Sequence, residues 1–335
     1  MDHPLIDLPS SGPLPSPGMN TRAPREAGAR NGPGDEPRAG ARRGPRKSTR
    51  GSESADWHVH THLSDGLVSP AEVIAAAARL GLKRIAITDH DGIDAHLDPQ
   101  LPGIASAAGI DLLTGVEIDC TLGDLRVEVL GYGFVADAAS PLAARLERVQ
   151  IARRERLNIL TEGLVAAGEP LDPATVLPPE TVAPLKVHLY RALIRGGRSF
   201  PGGYAGFKAL LASLGPSPEI PVPTLAEAVA LVRGAGGFCV LAHPLYYLRA
   251  YAARELLMAV QAVGCEGSEF LYPYDLDAEG LREDTVRAGL KDLQAALRLA
   301  FPGGGRRTAG SDVHDPAEWS ARLECVRRWR REFPG

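Results

Sequence analysis

The 335-residue sequence has no uninterrupted apolar run near the roughly 20 residues that a membrane-spanning helix needs, so no bilayer span is expected. Its N-terminus has no apolar core of a secretory leader. Cysteine is scarce: Cys120, Cys239, Cys265 and Cys325 stand far apart with no C-x-x-C pair, which excludes a zinc knuckle and a redox dithiol. Reduced thiols in a cytoplasmic protein are the expectation. An excess of positive charge is also missing. With 37 Lys and Arg against 41 Asp and Glu, the net charge is −4, and no broad cationic field exists to hold duplex nucleic acid. A nucleic-acid substrate would have to be recognised locally. No internal repeat is visible.

Hydrophobic residues make up 44% of the chain, enough to bury a substantial core. Between Asn20 and Asp56 the only apolar side chains are alanine and proline, so residues 1–54 are expected to form a disordered Arg/Pro/Gly-rich tail. Its basic cluster Arg42, Arg43, Arg46, Lys47 and Arg50 is read as solvated, with contact to RNA as the alternative. From Trp57 on, β-branched and Leu-rich runs alternate with helical stretches, a βα rhythm that predicts a parallel sheet or barrel over residues 55–335. One helix is legible in detail: Ser69 as N-cap, Pro70 at its first position, Glu72 two residues further, and Gly81 past its end. Further strands are expected near 111–118, 125–131, 237–241, 267–271 and 307–310, and helices near 225–233, 253–263 and 284–299. Residues from about 141 to 223 break the rhythm with a charged helix expected over 145–167, a Pro-rich turn and a second helix near 187–195, and read as a helical insertion of the kind that caps an active site.

The chemistry-bearing residues fall at the expected strand ends. His58 and His60 are two apart on a strand, so their rings share a face and can meet one cation. Asp65 follows in Ser64-Asp65-Gly66. His90 lies in Thr88-Asp89-His90-Asp91 at the end of the next strand, and Glu117 is an acid in the apolar run Gly115-Val116-Glu117-Ile118. His243 closes Leu241-Ala242-His243-Pro244, and Asp312 and His314 repeat the two-apart spacing. Each alone reads as a cap, a core histidine or a paired acid. Together they set imidazole or carboxylate at five successive strand ends, more ligands than one tetrahedral ion needs. Two or three divalent ions are inferred, with Mn, Zn or Fe suiting this mixture better than Ca, and Mg as a further option.

These motifs resemble, in order and from His58 to His314, those of the PHP family, named for polymerase and histidinol phosphatase. The resemblance implies a distorted (β/α)7 barrel with metals at its C-terminal face. It also implies a metal-dependent phosphoesterase acting on a phosphorylated small molecule, a nucleotide or short RNA, with no obligate protein partner. It assigns His58, His60, Glu117 and Asp312 to one ion, Asp65, His90 and His314 to a second, and Glu117 with His243 to a third. Within the family the chain resembles stand-alone phosphoesterases with a helical insertion, which include nucleoside 3',5'-bisphosphate phosphatases and 5'-3' exoribonucleases. Lys186-Val187-His188-Leu189-Tyr190-Arg191 is an altered form of a segment found there. That places His188 and Arg191 at the substrate phosphate. In the mechanism that the ligand set suggests, His188 and Asp91 are the candidate proton donors to the leaving oxygen.

One position departs from the family pattern. In Arg126-Val127-Glu128-Val129-Leu130-Gly131-Tyr132, Glu128 stands where a histidine is usual. It is either a harder third-site ligand or it pairs with Arg126 or another cation and leaves the third site empty. The competing readings are a histidinol-phosphatase-type monoesterase, a non-catalytic metal-stabilised module, and a protein that binds nucleic acid through its basic tail.

Overall fold

Ser69 fixes the first helix as its side chain implies. Its hydroxyl accepts the Glu72 N–H while Glu72 accepts the Ser69 N–H at 2.8 Å, so helix α1 (Pro70–Arg79) starts with two of its orphan donors satisfied. Val73, Ile74, Ala76 and Ala77 form its buried stripe. In the computed structural model, which describes residues 54–276 and 281–334, such helices alternate with seven strands. The expected N-terminal tail lies outside the described residues, apart from Ser54.

The strands are β1 (Ala55–Val59), β2 (Arg84–Ile87), β3 (Asp111–Leu122), β4 (Leu125–Tyr132), β5 (Phe238–Leu241), β6 (Gly267–Leu271) and β7 (Arg306–Ala309), and they lie side by side in chain order. The sheet is not closed by a ladder between β1 and β7. A single parallel bridge from Val59 to Val313 joins its ends, where Asp312 N–H donates to His58 O at 2.8 Å and His60 N–H to Val313 O at 3.0 Å. The fold is a mixed α/β, barrel-like sheet with helices packed outside it.

Within the parallel sheet or barrel that the βα rhythm predicts, one strand is reversed. Strand β4 runs antiparallel to both β3 and β5. Only Gly123 and Asp124 separate Leu122 from its partner Leu125, and Gly123 adopts φ +62°. Two residues close a hairpin, whereas a parallel crossover needs a dozen or more.

Between β4 and β5 come α3 (Pro141–Ala166), α4 (Lys186–Arg195), α5 (Gly203–Ser213) and α6 (Leu225–Gly234). Helix α6 packs on β4 and β5, but α3, α4 and α5 enclose an apolar cluster of their own that includes Leu160, Leu164, Leu189, Leu193 and Phe207. Helices α2 (Leu101–Ala107), α7 (Ala253–Ala262), α8 (Glu283–Ala300) and α9 (Trp319–Glu332) complete the outer layer. Helices α2, α5 and α9 are absent from the sequence-based expectation. Helix α5 contains two glycines, and α9 is so rich in Arg and Glu that its buried Trp319, Leu323, Val326 and Trp329 are hard to see as a stripe.

Asp56 on β1 is buried and ties that strand to the segment that follows β7. It accepts from Trp319 Nε1 at 2.6 Å and from the Ser311 N–H at 2.9 Å. Trp319→Phe keeps the bulk and removes one donor from this buried carboxylate. Loss of a hydrogen bond to a charged acceptor costs about 1.5–3 kcal/mol, which should appear as a lowered urea midpoint with an unchanged slope.

Candidate metal centre

The strand-end side chains meet. His58 Nε2 and His60 Nε2 are 3.1 Å apart. Both face the same two oxygens: Glu117 Oε2 at 3.1 and 3.3 Å, and Asp312 Oδ1 at 3.2 and 2.9 Å. Next to them His314 Nε2 lies 3.2 Å from Asp65 Oδ1, and on the other side His243 Nε2 is 3.1 Å from both Glu117 Oε1 and Glu128 Oε2. Four groups offer donor atoms all within 4.8 Å of one another: His60, Asp65, His90 and His314; His58, His60, Glu117 and Asp312; His90, Asp119 and Glu128; Glu117, Glu128 and His243. Each shares residues with its neighbours. Among the described residues the non-glycine positions with positive φ are Asp91, His243 and Asp312, all at these strand ends. Strain of that kind persists where the surroundings over-determine a functional geometry.

Non-donating neighbours hold the donors. Glu269 Oε1 lies 3.1 Å from His58 Nδ1, and a carboxylate can only accept there, so Nδ1 carries the proton and Nε2 turns its lone pair to the centre. The other oxygen of Glu269 accepts the His243 N–H at 2.9 Å. Tyr272 donates to Asp312 Oδ2 at 2.8 Å. Asp89 accepts from the Thr61 N–H and hydroxyl, each at 2.7 Å, and from the Ser64 hydroxyl at 2.6 Å, which fixes the loop that carries Asp65. Gly310 leaves no room for a side chain: an added Cβ would collide with His58 Cβ and lie 2.7 Å from Glu269 Oε1.

This donor set fits divalent cations. Burial pulls the His60 imidazole down, but Asp312 and Glu117 carry it up to about 10. Burial works against the charge of Asp65 as well, yet His314 and His90 hold its carboxyl well below the usual range. Burial lowers His90 to about 4, leaving a neutral imidazole. Burial, then the charge of Glu117, pushes Glu128 up to about 7. Four buried carboxylates and several imidazole nitrogens, crowded at contact distance, make a field that draws in either protons or metal ions.

Two expected proton donors have other partners. The Asp91 carboxylate accepts from Arg153 Nε at 2.8 Å, and Arg153 also pairs with Asp119 at 2.7 Å. His188 is buried at the third position of α4, where its Nδ1 accepts the Leu185 N–H at 3.1 Å. Arg191 reaches the centre through the backbone, donating to Asp65 O at 2.5 Å. Glu128 makes no ion pair with Arg126 among the described residues; it turns to His243. Sequence reasoning passed over Glu269 and Asp119. Glu269 carries the same signal as Glu117, an acid inside an apolar strand.

A PHP domain model matches residues 56–164. A 5'-3' exoribonuclease of Haemophilus influenzae is 30% identical over 275 residues, which cover 79% of this chain and 91% of that protein. The chain belongs to the PHP family. A 3',5'-nucleoside bisphosphate phosphatase of Chromobacterium violaceum is also 30% identical, across 78% of this chain and 88% of that one. Among solved structures, a protein of Bifidobacterium adolescentis assigned as a metal-dependent phosphoesterase aligns with a TM-score of 0.61 at 25% identity, covering 78% of this chain and 87% of that one. This PHP chain is a metal-dependent phosphoesterase, as its motifs imply. Among the described residues no helix is long and apolar enough to cross a membrane.

Gly310→Ala should displace His58 and lower the metal content of purified protein, measured by elemental analysis, with little change in the far-UV spectrum. Chelation should lower the thermal midpoint of the wild type, and added Mn or Zn should restore it, as mass action on a native-state site requires.

Proposed function

We propose that the described donors hold two or three divalent ions and that the enzyme hydrolyses phosphate esters of nucleotides or short RNA. The carrying observation is the overlap of the four donor groups, in which His60, His90, Glu117 and Glu128 each belong to two. Shared donors support neighbouring ions rather than isolated ones. In this reading His58, His60, Glu117 and Asp312 serve one ion, Asp65, His90 and His314 a second, and Glu117, His243 and Glu128 a third. The relatives named as an exoribonuclease and a nucleoside bisphosphate phosphatase support the substrate class.

Bound divalent ions supply an activated water and neutralise phosphoryl charge. The chain's own residues do the rest. Glu269 keeps the proton on His58 Nδ1, Tyr272 aims Asp312, and the Asp89 bonds hold Asp65 in place. Asp91, through Arg153, and His188, through the start of α4, act in this reading as positioning residues. Residues 55–335 form one domain, with 141–223 as its insertion; the separate apolar cluster of α3, α4 and α5 supports that division. The four cysteines are free and buried, which supports a reducing, cytoplasmic setting.

His58→Ala removes a donor from the group that also contains His60, Glu117 and Asp312. Phosphate release from adenosine 3',5'-bisphosphate should fall by about a thousandfold or more, the scale expected when metal chemistry is lost, while the circular dichroism spectrum is kept. Undiminished turnover in this variant, or release from histidinol phosphate alone, would contradict the proposal.

A further inference from the structure

The register of β4 on β5, in which Val129 faces Leu241, sets Ala242 opposite Glu128 just past the end of β5. Ala242 N–H donates to Glu128 O at 3.0 Å, one half of the pair of bonds that facing residues exchange in an antiparallel ladder. The other half goes elsewhere: Glu128 N–H donates to the Tyr247 hydroxyl oxygen at 2.9 Å. His243, at φ +24°, turns the chain out of the sheet into a short 3₁₀ helix, Pro244–Arg249. That turn brings the fully buried Tyr247 back to the strand end, where its hydroxyl also lies 3.5 Å from His243 Nδ1.

One hydroxyl thus touches two donors of the group formed by Glu117, Glu128 and His243. In the three-ion assignment Glu117 also serves the first ion, whereas Glu128 and His243 serve the third alone. Their support differs in kind from that of the first ion. His58 Nδ1 faces the Glu269 carboxylate at 3.1 Å, and a charged acceptor there raises the basicity of the ligating nitrogen. His243 Nδ1 faces a neutral hydroxyl at the outer limit of a hydrogen bond, which lends the ring less basicity and a looser orientation. Glu269 reaches His243 at its backbone N–H, not at the ring. The group is also the smaller one, with three donors against four in each of the groups for the first and second ions.

We propose that Tyr247 is a positioning residue for the third ion and that this ion is the exchangeable one of the set. The inference rests on the multinuclear phosphoesterase reading and adds its regulation: the first two ions stay bound, while occupancy of the third, and turnover with it, follows the free concentration of divalent metal. Without the hydroxyl, Glu128 N–H loses its acceptor and the His243 ring is held less firmly. Affinity then falls at the third ion and stays at the donors His58, His60, Asp65 and Asp312.

The test titrates chelator-treated wild type, Tyr247→Phe and Glu128→Gln with Mn, counting bound ions by equilibrium dialysis and reading free Mn by electron paramagnetic resonance. Wild type should bind two ions tightly and a third about tenfold or more weakly, one decade in affinity. In Tyr247→Phe the third dissociation constant should rise about ten- to hundredfold, the range for loss of a residue that orients a ligand, with the first two unchanged. Glu128→Gln should weaken the same step, which assigns it to this group. Turnover of adenosine 3',5'-bisphosphate by Tyr247→Phe should recover when Mn is raised by the same factor. A wild type that binds all its ions equally, or saturates below three, overturns the exchangeable ion. Constants in Tyr247→Phe that are all unchanged, or all weakened alike as a packing defect would make them, overturn the positioning role. If wild type takes up no Mn or Zn, the reading of the centre itself fails, a separate result. Replacing Tyr247 by 3-fluorotyrosine, a near-isostere whose oxygen is a poorer acceptor, should move the third constant in the same direction and keeps the test decisive should Tyr247→Phe not fold.

Discussion

The crowding of imidazole and carboxylate at one edge of the sheet governs this molecule. His58, His60, Glu117 and Asp312 bring their polar atoms to about hydrogen-bond distance in a fully buried setting. Such a set is costly unless positive charge joins it. Much of the nearby structure serves to keep it assembled. Glu269 and Tyr272 orient donors, Asp89 staples the loop after His60, and Gly310 gives way to His58. The positive φ of His243 and Asp312 is the backbone's share of the same constraint.

The reversed β4 gives the site its asymmetry. A hairpin at Gly123 and Asp124 carries Glu128 back beside Asp119, so carboxylates enter from two adjacent antiparallel strands. The long excursion that follows β4 then returns over the centre. Arg153 of α3 clamps Asp91 and Asp119, Arg191 of α4 holds the Asp65 carbonyl, and the Val182 and Ala183 N–H groups both donate to Leu63 O. Segments far apart in sequence thereby set the positions of the same few donors, which ties metal binding to the docking of α3 and α4.

That these side chains gather at one sheet edge was legible because strand ends and a two-residue period are local features. His58 with His60 and Asp312 with His314 announce their shared faces, and the Ser69 capping box announces α1. What was hidden depends on long-range contact. The Arg153 pairing of Asp91 joins residues 62 apart in sequence, and no spacing rule reveals that the acid is engaged. The direction of β4 was visible in its two-residue link to β3 but was overridden by the βα rhythm on either side. His188 and Arg191 read equally well as helix surface until the fold buried His188 at the start of α4 and set the half-buried Arg191 on the Asp65 carbonyl. Arg126 looked like a partner for Glu128 because the two share a face; the nearer His243 takes that role instead.

The central claim is that these side chains form one multinuclear metal centre. Anomalous diffraction from crystals grown with Mn or Zn tests it most directly. The account predicts two or three anomalous peaks within about 2.0–2.3 Å of the named nitrogen and oxygen atoms. A metal-loaded crystal with no peak among these residues, or with its ions bound elsewhere on the chain, would contradict it.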